Sequence, residues 1–253
     1  MPENNTSALT VLKRRVFLEI LSDDPMDRRD LEERLDVSRT TVYRATTELL
    51  DLGFLEHVDG TYRSTHRGKA VLEVTKQYHD SLRAIDSIAP LVELVDAPVF
   101  LRHIDLFVDS TMIVADRTNP YRAIHYVQSC IENVDRWRGV VTRRTIPDSV
   151  PRTLAQVQNG ATVELVLEEE ALEFAAADVQ GGLIAAEQMG DLKIYRTTET
   201  DLSIHLFDDR VVIPGFSRDE GTLTVVVETD SEDAIAWARS LIDRQRNRAE
   251  RVI

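Results

Sequence analysis

Between Ser38 and Thr47 the stretch SRTTVYRATT brings hydroxyl and guanidinium groups onto one helical face: Ser38, Arg39, Thr40, Thr41, Tyr43, Arg44 and Thr47. Groups of these types read a surface by hydrogen bonding. An arginine donates to both acceptors of a guanine at once, a threonine methyl suits thymine, and serine or threonine hydroxyls reach phosphate oxygens. That chemistry is the readout of double-stranded DNA. Arg28 and Arg29 lie upstream, and Arg63, His66, Arg67 and Lys69 downstream, where cations would meet flanking phosphates. A polar face also fits a solvated helix that docks a protein, so the choice rests on the elements that carry it.

Covalent and metal chemistry find less support. His57, His66, His79, His103, His125 and His205 show no tight metal-ligand spacing. Cys130 follows His125 by five residues with nothing nearby to complete a site, so no metal and no cofactor are expected. A lone cysteine on a helix reads as a small apolar core residue; a redox sensor would need exposure and a lowered pKa. Neither a Gly-rich phosphate loop nor a Gly-x-Ser-x-Gly elbow occurs. No residue is assigned a catalytic role, and the chain is not expected to be an enzyme. A small-molecule effector, if one binds, would be lined by strand ends and the loops after them. Arg117, Tyr121, Arg122, Arg143, Arg196, Thr197 and His205 are the polar candidates, with Trp137 and Phe216 as stacking surfaces. Taken singly, each arginine fits surface charge better and each aromatic fits the core better.

The elements around Ser38 decide the first question. Leu9, Leu12, Val16, Phe17 and Ile20 recur at three and four, which predicts a first helix from Leu9 to Leu21. SDDP breaks it, and a second helix runs from an Asp27 N-cap through Leu31 to Leu35. DVS makes a turn, and Ser38 caps a third helix with Val42, Ala45, Leu49, Leu50 and Leu52 inward, ended by Gly53. FLEHVDGTYRST then holds two short alternating runs around Asp59-Gly60, a strong hairpin signal. Three helices and a hairpin make a winged helix-turn-helix, and this ordered combination favours DNA over a protein partner. From Ala70 through Val71, Val74, Tyr78, Leu82, Ile85 and Ile88 the spacing stays helical up to Pro90. That predicts a long connecting helix able to pair with its copy in a homodimer.

Beyond Pro98 strands alternate with helices. Strand material lies in VFLRHIDLFVDSTMIVAD, a helix running into a strand in PYRAIHYVQSCIENVDRWRGVV, and a buried strand in ATVELVLEE. Helices are expected near Ala171–Ala177 and Leu183–Gln188, then strand DLKIYRTT and two strands around Asp208-Asp209. GTLTVVVET is the last expected strand, followed by a capped C-terminal helix beginning at Asp230 or Ser231. This alternation predicts an α/β sheet with helices on its faces. The expected domains are a winged helix at 1–66, a connecting helix at 67–96 and an α/β domain at 97–253.

Composition limits the partners. The net charge of -14 argues against binding nucleic acid through the whole surface, so any DNA contact is local. No run approaches the ~18 apolar residues of a membrane span, and MPENNTSALTVLKRR lacks the order of a signal peptide. A cytoplasmic protein without a membrane partner is expected. Only Lys13, Lys69, Lys76 and Lys193 are lysines amid many arginines and aspartates, a pattern that resembles proteins of salt-loving archaea. GC-rich codon usage also favours arginine but explains the acidic excess less well.

The segment LEERLDVSRTTVYRATTELLDLGFLEHVDGTYRSTHRGKAVL, followed by a long helix and DLKIYRTTETDLSIHLFDDRVVIPGF, resembles the archaeal winged-helix transcription regulators typified by the methanogenesis regulatory protein. The resemblance implies a dimeric DNA-binding regulator with a sensing or interaction domain behind it. Leu202–Gly215 also resembles a worn half of a phospholipase D type fold, which some archaeal sugar-sensing regulators use as a sensor. That enzyme family requires His-x-Lys-x-x-x-x-Asp. His205 is followed by Leu206 and Phe207, so the lysine is missing and hydrolysis is not expected. Two readings stay open for the second half: an effector sensor marked by a buried polar pocket, or an assembly platform marked by a filled core and an exposed apolar patch.

Overall fold

A computed structural model of the chain describes residues 3–142, 148–178, 191–219 and 221–252. It divides into two units, Met1–Asp80 and Ser81–Ile253, and the division falls inside a long helix.

The first unit holds α1 (Glu3–Asp23), α2 (Arg28–Leu35), α3 (Arg39–Asp51), the hairpin β1 (Leu55–Val58) and β2 (Thr61–Ser64), and the start of α4 (His66–Ser87). Asp27 caps α2 by accepting from the Arg29 and Asp30 amides, and Asp30 returns the interaction to the Asp27 amide. Asp36 turns the chain with φ of 51°, and the Ser38 hydroxyl accepts from the Thr41 amide to open α3. Asp59 and Gly60, with φ of 50° and 81°, form the tight turn of the hairpin. Val42, Ala45 and Leu49 of α3 pack with Leu18, Leu21, Leu31, Tyr62 and Leu72. The result is a winged helix-turn-helix, to which Met26 adds a bridge against Tyr62 that the sequence does not announce.

One sequence expectation is corrected in α1. The buried side is Val11, Phe17, Leu18 and Leu21, whereas Leu9, Leu12 and Val16 are exposed. Two apolar stripes run along this helix, and only one of them meets α3. Arg14 fixes the choice by pairing with Glu48 of α3 at 2.9 Å, which also holds the Glu48 carboxyl below its ordinary range.

Among the described residues the second unit is built on a sheet of eight strands in the order β10-β6-β5-β4-β7-β8-β9-β3. After α5 (Ala89–Val92), α6 (Pro98–Leu101) and a 3-10 turn at Ile104–Phe107, the strands are β3 (Thr111–Val114), β4 (Arg136–Val141), β5 (Thr162–Glu168), β6 (Leu192–Thr197), β7 (Ile204–Phe207), β8 (Arg210–Phe216), β9 (Leu223–Thr229) and β10 (Glu250–Arg251). β4, β5 and β6 are parallel, and β7, β8, β9 and β3 continue antiparallel. Of the run from Val99 to Asp116, only Thr111–Val114 is strand, because Pro98 and the residues after it coil into short helical turns. β10 is a further strand after the one expected to be last.

Period-two alternation assigns the two faces. Val140, Val166, Ile204, Leu206, Val211 and Ile213 lie in one core with α10 (Glu232–Arg246), through Ala234, Ile235, Trp237, Ala238, Leu241 and Ile242. Trp137, Val141, Val163, Leu165, Leu167, Leu192, Ile194 and Phe207 lie in the other. That core is covered by α7 (Arg122–Glu132), α8 (Ser149–Gln158) and α9 (Glu169–Asp178). Ser231 stands at the start of α10, but its side chain makes no capping hydrogen bond. α8 has no counterpart in the sequence reading. The helix expected near Leu183–Gln188 lies outside the described residues.

Candidate functional site

The exposed side of α3 carries Arg39, Thr40, Tyr43 and Arg44, with Ser38 at its cap and Thr41 and Thr47 half-buried. Thr46, which the sequence reading did not place on this face, points into the core and donates its hydroxyl to the Val42 carbonyl at 2.9 Å. Neither Arg39 nor Arg44 forms an ion pair among the described residues. Arg29 and Arg63 do, to Glu33 at 3.1 Å and Glu56 at 2.8 Å. Arg28 lies half-buried with its guanidinium 5.9 Å from the Tyr43 ring, and its buried Nε has no hydrogen-bond partner among the described residues. At the wing's exit Thr65 bonds the Gly53 carbonyl and accepts from the Gly68 amide, anchoring the first turn of α4 against the end of α3. His66, Arg67 and Lys69 are exposed on that turn, Arg67 stacked 5.1 Å over Phe54. The fold thus groups exposed donors on α3 and exposed cations at the start of α4 on one small unit.

A second concavity lies within the α/β unit. Between the middle of the sheet and α7, α8 and α9 there is a cavity of about 90 Å³, its wall built from Val127, Ile131, Val141, Leu165, Leu167, Ala171, Leu192 and Ile194 with Trp137, His205 and Phe216. His205 sits on β7 directly opposite Gly139 of β4. A side chain at Gly139 would put its Cβ 2.8 Å from His205 Nδ1, so glycine makes room for the imidazole. Trp137 Nε1–H donates to His205 Nδ1 at 3.3 Å, which leaves the proton of the neutral ring on Nε2. Burial lowers the His205 pKa to about 4, so the ring stays neutral in ordinary buffers. Counted from His205, the phospholipase spacing falls on Phe207 and Val212, both buried and apolar.

The other ligand candidates are not brought to this cavity. Tyr121 and Arg122 are exposed at the start of α7, and Arg117 is exposed in the loop before it. Arg196 pairs with Glu250 at 2.5 Å and with Glu169 at 3.5 Å, at the edge where β10 joins β6, and Thr197 is its neighbour there. Arg143 lies outside the described residues. Cys130 is buried, and burial raises its thiol pKa, which removes the reactivity a redox sensor needs. Among the described residues no group of three or more His, Cys, Asp or Glu is placed to hold a metal, and no helix is long and apolar enough to cross a membrane. Sequence reasoning missed the aliphatic wall and Gly139; the glycine in mid-strand was the available signal.

The sequence matches two family models: the HVO_A0261 N-terminal domain over residues 3–87, and the middle domain of the methanogenesis regulatory protein FilR1 over residues 120–248. No curated protein matches it. Among solved structures it is similar to TrmBL2, an archaeal chromatin protein whose structure shows a novel mode of DNA binding. The identity there is 16%, over 94% of this chain and 92% of that one, with a TM-score of 0.45. It is also similar to Nuc, a phospholipase D family member from Salmonella typhimurium, at 14% identity over 57% of this chain and 99% of that one, TM-score 0.43. For NucT from Helicobacter pylori the values are 13%, 56%, 98% and 0.43.

Proposed function

The chain belongs to the family whose model describes the middle domain of the methanogenesis regulatory protein FilR1, and from that membership we propose that it is a sequence-specific, dimeric transcription regulator that binds double-stranded DNA and responds to a small effector. The observation that carries the reading is the winged helix itself: a capped α3 presents Arg39, Thr40, Tyr43 and Arg44 outward from a core of Val42, Ala45 and Leu49. A helix so placed enters the major groove with its N-terminal residues at base edges, while cations at the wing and at the start of α4 meet phosphates.

Two further observations support the finer parts of the proposal. Val74, Tyr78, Leu82 and Ile85 are exposed at helical spacing along α4, an apolar face suited to the same face of a second copy. Pairing there sets two recognition helices on two half-sites. The cavity beside His205 gives the second unit a place for a small effector, with an apolar wall where a polar pocket was the expected mark of a sensor, while the exposed stripe of α4 is the mark expected of a platform. An effector acts by preferring one of two arrangements of the regulator.

Genome-wide immunoprecipitation of the tagged protein, with and without a change of carbon source, tests the whole reading. Sharp palindromic peaks that move with the nutrient are expected. Fixed peaks would remove nutrient response, and an absence of peaks would mean that the face of α3 meets something other than DNA.

A further inference from the structure

The His205 cavity has a more specific chemistry than a generic pocket. Lys, Arg, Asp and Glu are absent from its described wall, so an ionic ligand would enter without a counter-charge. Its polar groups are nearly all committed. Ser203 Oγ is held by the Thr142 amide and hydroxyl at 3.0 and 2.9 Å, Thr153 Oγ1 donates to the Ser149 carbonyl at 2.6 Å, and Trp137 Nε1 is spent on His205 Nδ1. What is left is the half-buried Ser149 hydroxyl at the start of α8 and His205 Nε2–H, the latter a donor with no hydrogen-bond partner among the described residues, on a side chain that is 4% exposed. Gly139 and Trp137 together fix the ring that carries it, so the donor is built in rather than incidental. The volume of about 90 Å³ is smaller than the apolar cavity of about 150 Å³ that accommodates benzene, which limits the enclosed part of a ligand to about four non-hydrogen atoms.

We propose that this cavity binds a small uncharged molecule with a compact apolar body and a single hydrogen-bond acceptor, a ketone, aldehyde or ester oxygen, which His205 Nε2–H receives while the aliphatic wall and Phe216 enclose the rest. This deepens the effector-responsive reading above and rests on it only for the link to DNA. A carboxylate of the same size binds more weakly because no described residue of the wall neutralises it, and a hydrocarbon of the same size binds more weakly because the donor stays unmet.

The test uses the full-length chain with Trp237→Phe, which leaves Trp137 as the single indole, alongside the wild type as a folding control by circular dichroism. Cyclopentanone, cyclopentane and cyclobutanecarboxylate are titrated while indole emission and Tm are followed. Cyclopentanone is expected to give a saturable change and a raised Tm, to bind roughly fivefold to tenfold more tightly than cyclopentane, and the carboxylate to give neither response. His205→Phe is expected to erase the preference for the ketone. Should that variant fail to fold, the imidazole 15N spectrum of the wild type decides: a neutral Nε2–H tautomer whose Nε2 resonance moves with cyclopentanone supports the assignment. Equal binding of ketone and hydrocarbon, preference for the carboxylate, or no saturable response overturns it. Operator affinity is measured on the same samples by fluorescence anisotropy. Ketone binding that leaves operator affinity unchanged supports the cavity assignment and overturns effector response, whereas intact operator binding with no ketone response overturns the cavity assignment alone.

Discussion

Arg39 and Arg44 stand apart from Arg29 and Arg63, because the latter two are already held by Glu33 and Glu56. Replacing either free arginine with alanine is expected to weaken operator binding by ~1–3 kcal/mol and to relax base preference at one position. Arg29→Ala or Arg63→Ala should change affinity less and leave base preference intact, as anisotropy titrations at one fixed salt would show. His205 gives a prediction in pH. Its buried ring holds a proton only below about 4, while an unfolded chain takes one up near 6.5. The neutral form therefore contributes stability that is whole above pH ~6.5 and is lost as pH falls toward ~4, by up to ~3 kcal/mol. The gap in urea unfolding free energy between wild type and His205→Asn should shrink by about that amount between pH ~7.5 and pH ~4.5; an unchanged gap would mean the ring is not buried neutral. The polar face of α3 and the missing phospholipase lysine were legible because both are matters of local spacing. The Trp137–His205 hydrogen bond was not, since it joins residues 68 apart through the register of β4 on β7.

Elements were legible to the degree that their signals are local. Asp27, Ser38 and Asp59-Gly60 mark boundaries by capping and turn chemistry, and the structure has those boundaries. Which side of a helix is buried is a tertiary fact, and the apolar spacing of α1 did not reveal it, because Leu9, Leu12 and Val16 repeat as regularly as the residues that pack. The exposed stripe on α4 is the same phenomenon, and here it carries a prediction. Leu82→Glu, or Tyr78→Glu, puts a charge into a self-pairing face and is expected to lower the mass in solution from twice 28.7 kDa to 28.7 kDa without loss of helicity. A wild type that runs as a monomer by light scattering would remove the pairing role of α4. The join between wing and α4 makes a separate claim. A Cβ at Gly68 would overlap the Phe54 carbonyl oxygen, so Gly68→Ala should destabilise the winged helix by ~1–3 kcal/mol in urea titrations.

At the scale of the whole molecule, charge is distributed unevenly. Residues 1–80 carry 15 acidic and 12 basic side chains, so most of the net charge of -14 lies in the sheet unit beyond them. A nearly balanced winged helix can approach DNA, while the acidic second unit repels both the duplex and itself. Salt then acts on the two halves in opposite senses. Screening weakens the self-repulsion of the acidic unit, so Tm should rise as KCl is raised. Counterion competition weakens phosphate contacts, so operator affinity should fall over the same range. The slope of log K against log salt distinguishes the kinds of contact: Lys69→Ala, at a position proposed to meet phosphate, should make it shallower by ~0.9 for each site it removes, nearly twice that in a dimer. Arg39→Ala, at a position proposed to reach a base edge, should lower affinity for the operator more than for random DNA. If Lys69→Ala leaves the slope unchanged, the start of α4 does not track the DNA backbone, and the binding face is confined to α3.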